Sequence, residues 1–229
     1  HEGRPTNGRT FSQRERERKI CQVDASKSTE FRNQEASRLE EVKTTIFGKQ
    51  GDSHETIRTH SCKYSKANGS IECSGAVQID LQSAKDAELA EKSGGKAGIR
   101  PTAHVETRDV KFDQATDTAR TSERVTFTFP EGSGEAVGVE YNSQEGIMKL
   151  LRDVNMTLKQ SGGPAGTAGQ QVHVTGAGLD FNRDTRLLHL WGPAHAQTPT
   201  AQLDAGEFPL NLDEDYRAQK RVATGGTHG

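Results

Sequence analysis

The chain predicts an all-β protein, an elongated antiparallel sheet system built from repeated hairpins around a thin core. The first observation is an internal repeat. VEYNSQEGIMKLLRDVNMTL, Val139 to Leu158, aligns with CKYSKANGSIECSGAVQIDL, Cys62 to Leu81. Tyr64 falls on Tyr141, Gly69 on Gly146, Ile71 on Met148, and Val77, Ile79 and Leu81 on Val154, Met156 and Leu158. A weaker third copy, LDFNRDTRLLHLWGPAHA from Leu179, has Phe181 at the aromatic place, Arg186 for the glycine, and Ala194 and Ala196 for the final apolar pair. Such repeats mean one supersecondary unit that stacks on its neighbours to complete a core. The second observation is the period-2 alternation of apolar and polar residues. Composition is the third: of 229 residues only 31% are hydrophobic and mean hydropathy is -0.82, which is lean for a thick globular core, while 24 glycines and frequent Thr/Val alternation argue against disorder.

In chain order, residues 1–18 are expected to be a polar lead-in. FSQRERERKI, residues 11–20, carries charge all round a helical wheel with no apolar stripe, which favours a solvated extended linker. A continuous sheet follows over 19–215, and a polar tail over 216–229. LEEVKTTIF sets Val42, Thr44 and Ile46 on one face, and HETIRTHSCKY leads into the first repeat. GKQGD at 48–52, KANG at 66–69, EKSGGKAG at 91–98, PEGSG at 130–134 and QSGGPAGTAGQ at 160–170 supply turn residues. The last two are read as loops within one sheet system instead of linkers between domains, because the motif spacing continues across them.

The alternation is plainest in ERVTFTFPEGSGEAVGVEY. Val125, Phe127 and Phe129 share one face, and Val137, Val139 and Tyr141 share one face of the returning strand. Met148, Leu150, Val154, Met156 and Leu158 keep the same parity, interrupted by Arg152 where the other copies have Gly75 and Gly192. The two glycines suggest a bulge or a close backbone approach, and Arg152 puts that in question for the second copy. The inner faces together form an apolar trough whose outer faces meet water.

Cys62 and Cys73 fall on apolar inward positions of the repeat. A hairpin centred between Ala67 and Asn68 sets Cys62 opposite Cys73, within reach of a disulfide. Two free thiols acting as small hydrophobes satisfy the same pattern. Cys21 is left over, and with no CxxC motif or Cys/His ligand spacing a zinc site is disfavoured. His189 and His195 read as surface histidines, and Glu40, Glu41 and Asp213 to Asp215 as solvated carboxylates with no spacing that fixes two of them across a cleft. GSGEAVG at 132–138 precedes a strand, so it lacks the helix N-terminus of a phosphate cradle. No catalytic residues, cofactor or metal are expected. Net charge is -2 with pI near 6.5, and basic residues are interspersed with acidic ones, so nucleic acid is not an expected partner. There is no apolar run of about eighteen residues, and HEGRPTNGRT has no signal-peptide core. A soluble chain is expected; the start without methionine and the ending RVATGGTHG suggest a fragment or processed form.

The order ASKSTEF, LEEVKTTIFGKQGDSHETIRTHSCKYSKANGSIECSGAVQIDL, VTFTFPEGSGEAVGVEYNSQEGIMKLLRDVNMTL resembles the periplasmic lipopolysaccharide-transport proteins of the LptC and LptA (OstA-like) type, over roughly residues 10–215. The resemblance implies a twisted β-jellyroll of two facing antiparallel sheets. Its open seam would hold lipopolysaccharide acyl chains, and its end strands would join other jellyroll proteins into a bridge between inner and outer membrane. It also implies an inner-membrane ABC transporter as partner and head-to-tail self-association. Localisation would be periplasmic, with a tether through an N-terminal helix not present in this chain. The residues that would line the groove are Val125, Phe127, Phe129, Val137, Val139, Tyr141, Met148, Leu150, Val154 and Met156. The same side chains are needed simply to pack two sheets. A structural or adhesive β-repeat with a closed core is therefore the alternative. A carbohydrate-active enzyme is poorly supplied, with one Trp, three Tyr and eight Phe mostly at inward positions.

Overall fold

A computed structural model describes residues 4–15, 18–31, 35–47, 54–82, 103–142, 144–159, 171–182 and 185–211. These form strands β1 (Arg4–Glu15), β2 (Arg18–Phe31), β3 (Ala36–Phe47), β4 (His54–Ser65), β5 (Ser70–Gln82), β6 (Ala103–Arg108), β7 (Lys111–Asp113), β8 (Thr118–Phe129), β9 (Gly132–Asn142), β10 (Ile147–Lys159), β11 (Gln171–Gly176), β12 (Gly178–Asn182), β13 (Leu187–Gln197) and β14 (Gln202–Asn211). All belong to one antiparallel sheet, and there is no helix among the described residues. β6 and β7 both pair with β5 and β8, and β11 and β12 both pair with β10 and β13, so each couple is one interrupted strand. The topology is thus an up-and-down meander, in which every strand lies beside its neighbours in sequence.

The hairpin repeat is built at the turns. Gly69, Gly146 and Arg186 each stand immediately before a strand with φ of 66, 67 and 55 degrees. Arg186 therefore keeps the left-handed conformation that glycine adopts without steric cost in the other copies. Glu35 before β3 and Asp117 before β8 do the same, at 45 and 51 degrees, and reveal two further copies of the turn. Six or seven residues beyond four of these turns a second irregularity follows. Glu41, Gly75 and Asp153 have φ of 50, 87 and 52 degrees, and Gly192 precedes a cis peptide to Pro193. Asp109, in the gap between β6 and β7, and Gly138 in β9 continue the line, and the pairing register slips beside it at Thr59/Ser61, Thr121/Arg124, Arg152/Asn155 and Trp191/Ala194. The second copy thus keeps its bulge despite Arg152, with Asp153 supplying the left-handed residue.

Each bulge adds an unmatched residue and bends its strand. Aligned across neighbouring strands, the bulges form a belt along which the sheet folds, so that strand halves on either side of it become two leaves. Buried threonines stitch this belt. Thr59, Thr107 and Thr121 donate from Oγ1 to the carbonyls of Ala76, Arg124 and Arg108 at 3.0, 3.1 and 2.7 Å, acceptors that lie beside the slips in pairing. The two facing sheets implied by the resemblance are the two leaves of this one hydrogen-bonded sheet, a jellyroll-like arrangement.

The core follows the inner faces. A main cluster runs from Leu81, Val105 and Val125 through Val139, Leu150, Val154 and Met156 to Leu179, Phe181 and Leu190. A smaller one gathers Ala25, Leu39, Val42 and Cys62 near the first edge. Cys62 faces Cys73 in the register, and their sulfurs are joined in a disulfide. The corresponding pairs in the later copies, Val139 with Leu150 and Leu179 with Leu190, are apolar.

Two expectations are corrected here. The stretch expected as a lead-in over 1–18 contributes a strand: Arg4–Glu15 form β1, paired with β2 from Arg4↔Glu30 to Glu15↔Arg18, because a strand needs backbone partners and not an apolar stripe. Val137 does not share the face of Val139 and Tyr141. The bulge at Gly138 reverses the parity, so Ala136 enters the core opposite Val125, while Val137 lies between exposed Arg124 and Arg152. Loops 48–52, 91–98 and 160–170, the carboxylates Asp213 to Asp215 and the boundary at 215/216 lie outside the described residues.

Candidate functional site

Two adjoining cavities open between the leaves. One is lined by Leu81, Ala103, Val105, Phe127, Thr128 and Phe129 of one leaf and by Met148, Leu150, Leu179, Phe181 and Leu188 of the other, with about 570 Å³ of space counted to its open mouth. The second, about 620 Å³ on the same measure, shares Leu81, Met148 and Phe181 and adds Glu55, Ile57, Val77, Ile79, Val139 and Tyr141. The lining shows that the leaves face each other. Phe127 follows the bulge in β8 and pairs with Gly134, whereas Met148 precedes the bulge in β10 and pairs with Tyr141, yet both border one space.

Local sequence places these groups. Alternation in VTFTF turns Phe127 and Phe129 inward, their ring centroids 6.2 Å apart. Opposite Phe127 stands Gly134, where a Cβ atom would come within 2.6 Å of Phe127 Cζ and 2.8 Å of Met156 Cγ; glycine makes room for the ring. Tyr141 Oη donates to Glu55 Oε2 across the cavity at 2.5 Å, joining strands that share no backbone pairing. Glu55 is only 5% exposed and occupies an inward register position between Ile46 and Leu81.

Of the ten residues singled out from sequence, Phe127, Phe129, Val139, Tyr141, Met148 and Leu150 line the cavities. Val125, Val154 and Met156 are packed into the core, and Val137 lies on the other face. Leu81 and Val105 of one wall and Leu179 and Phe181 of the other were not singled out, although the repeat alignment placed Leu81 and Phe181 at inward positions. Glu55 was missed altogether. Its signal was the parity it shares with Ile57 and Thr59 in HETIRTHSCKY, a carboxylate on an inward face.

Outside the groove the surface is charged and paired. His104 meets Asp80 at 2.5 Å through Nδ1 and Glu106 at 3.0 Å through Nε2, while Arg58 also reaches Asp80 at 2.5 Å. Partial burial opposes the imidazolium, but the two carboxylates outweigh it and raise the pKa of His104 above its ordinary value. His189 stacks on Trp191 at 3.9 Å and meets Glu207 at 2.9 Å, and His195 meets Asp204 at 2.6 Å, each across the β13–β14 pair. Glu40 pairs with Lys27 at 3.3 Å and Glu41 with His60. Among the described residues no group of three or more His, Cys, Asp and Glu is placed to hold a metal ion.

A family model for lipopolysaccharide-assembly, LptC-related proteins matches residues 10–159, from within β1 to the end of β10. The chain belongs to this family. LptC-related membership supports a role in lipopolysaccharide transport, in a family of lipid transport and not of catalysis. The match covers the first two hairpin copies; the third, in β12 and β13, lies beyond it but continues the same sheet. No match was found among curated protein sequences. No described helix is long and apolar enough to cross a membrane.

Proposed function

We propose that this LptC-related protein carries lipopolysaccharide or a related lipid by holding acyl chains between its leaves, as one part of a periplasmic bridge from inner to outer membrane. The observation that carries this reading is the pair of adjoining, mainly apolar cavities walled by residues of both leaves. Each methylene transferred from water into such a space contributes about 0.8 kcal/mol, so a few carbons of one chain suffice for binding without any catalytic group. Among the described residues β1 pairs only with β2 and β14 only with β13. Both edges offer unpaired backbone groups for strand addition by other jellyroll proteins or by a second copy of the chain. An inner-membrane ABC transporter would deliver the lipid.

A closed structural or adhesive repeat is the competing reading, favoured by the tight packing of Val125, Val154 and Met156 beside the bend. Photocrosslinking to lipopolysaccharide separates the two. With a photoreactive residue placed in turn at Phe127, Met148 and Phe181, and at outward controls Thr126 and Lys149, crosslinks confined to the inward set are expected. Equal labelling of both sets, or none in folded protein, would leave the closed repeat as the better account.

A further inference from the structure

We propose that the Tyr141–Glu55 hydrogen bond is a latch that closes the open side of the groove and releases when an apolar chain enters between the leaves. This deepens the lipid-carrier reading and rests on it. Glu55 is the second residue of β4 and Tyr141 the last but one of β9, so both stand toward the strand ends that point away from the bulge belt, Tyr141 three residues beyond Gly138. A contact between them spans the leaves on the side opposite the fold line. Nothing in the backbone holds that side: β4 pairs with β3 and β5, and β9 with β8 and β10.

The chemistry of the pair suits a contact that opens and closes. At 2.5 Å it is a short bond from phenol to carboxyl, part-buried in a cavity that Ile57, Val77, Val139 and Met148 also line. In such surroundings a polar group left without its partner is costly, which favours the closed contact between the leaves. Permanent closure needs only another apolar residue, such as the Ile46 and Leu81 that flank Glu55 in the register. A directional hydrogen bond instead has two discrete states, made and broken. Because Tyr141 and Glu55 stand in the wall of the second cavity, a chain extending through that cavity has to pass between them or displace one.

The test uses the full chain without native cysteines, with Cys21→Ser, Cys62→Val and Cys73→Leu, the last two taking the residues found at the same place in the second copy. Spin labels on the outward, exposed positions Gln78 and Lys149 report the separation of the leaves, and a fluorescent polyene fatty acid reports binding. Tyr141→Phe is expected to shift the label distances upward and to tighten or accelerate fatty-acid binding by about tenfold, the equivalent of one lost hydrogen bond. Glu55→Gln, which retains a weaker acceptor, should lie between Tyr141→Phe and the parent. Unchanged label distances in both variants overturn the latch whatever the fatty acid does. Wider distances with no binding to any form support the closure and overturn the lipid-carrier reading beneath it.

Discussion

At the scale of single residues, the pairing of opposite charges across strands sets the pH response. His104 places both ring nitrogens against carboxylates, Asp80 and Glu106, an arrangement satisfied only by the doubly protonated ring. Its pKa is raised in the folded state, so the stabilisation is fully present below the unfolded value and is lost as pH rises through the folded one. The denaturation midpoint of the parent relative to His104→Gln should therefore decline as pH rises above about 6.5, the ordinary histidine value. A constant difference across that rise would show that His104 contributes through packing alone. Residue-level reading from sequence succeeded where the partner was close in the chain. Cys62 and Cys73 are 11 residues apart across one turn, and hairpin arithmetic set them opposite one another, though it left their bonding open. It failed for Glu55, whose partner Tyr141 is 86 residues away on a strand it never pairs with.

At the scale of elements, the bulge belt is the structural device on which the groove depends. Threonine hydroxyls donate to carbonyls beside its slips in pairing. Thr121→Val removes the donor to the Arg108 carbonyl while keeping side-chain volume, so it should destabilise by about 1–3 kcal/mol, measured by urea denaturation. A cost near zero would mean that water replaces the hydroxyl. Strand existence and inward parity were legible for β4, β5, β8 and β10, where apolar residues alternate on every second position. Parity was misjudged at Val137, because one residue added at Gly138 moves every side chain before it to the other face. The two extra turns at Glu35 and Asp117 escaped notice because neither carries the glycine that marks the first two copies.

On the scale of the whole molecule, one continuous meander carries two unequal cores. The main cluster spans β5 to β13, whereas none of the described side chains of β1 joins either cluster, and those at 5–8, 10 and 12 are exposed. Stability should be graded accordingly. Amide hydrogen exchange followed by mass spectrometry is expected to be fastest in β1 and slowest in β8 to β10, where Val125 is fully buried. Uniform protection along the chain would instead point to a sheet that opens only as a unit. A weakly anchored edge also suits strand exchange with a partner, in line with the bridge proposed above.

The sequence by itself determined the all-β class, the strands of the repeating hairpin, the facing cysteines and the family resemblance, because these follow from period-2 alternation, turn chemistry and short-range spacing. Tertiary structure alone decided which inward side chains border open space and which are packed solid. That distinction arises when the sheet folds along its belt and brings β5, β6 and β8 over β10, β12 and β13. Alternation tells which face of a strand is apolar, but the surface that face meets is set by bends whose positions depend on one added residue per strand.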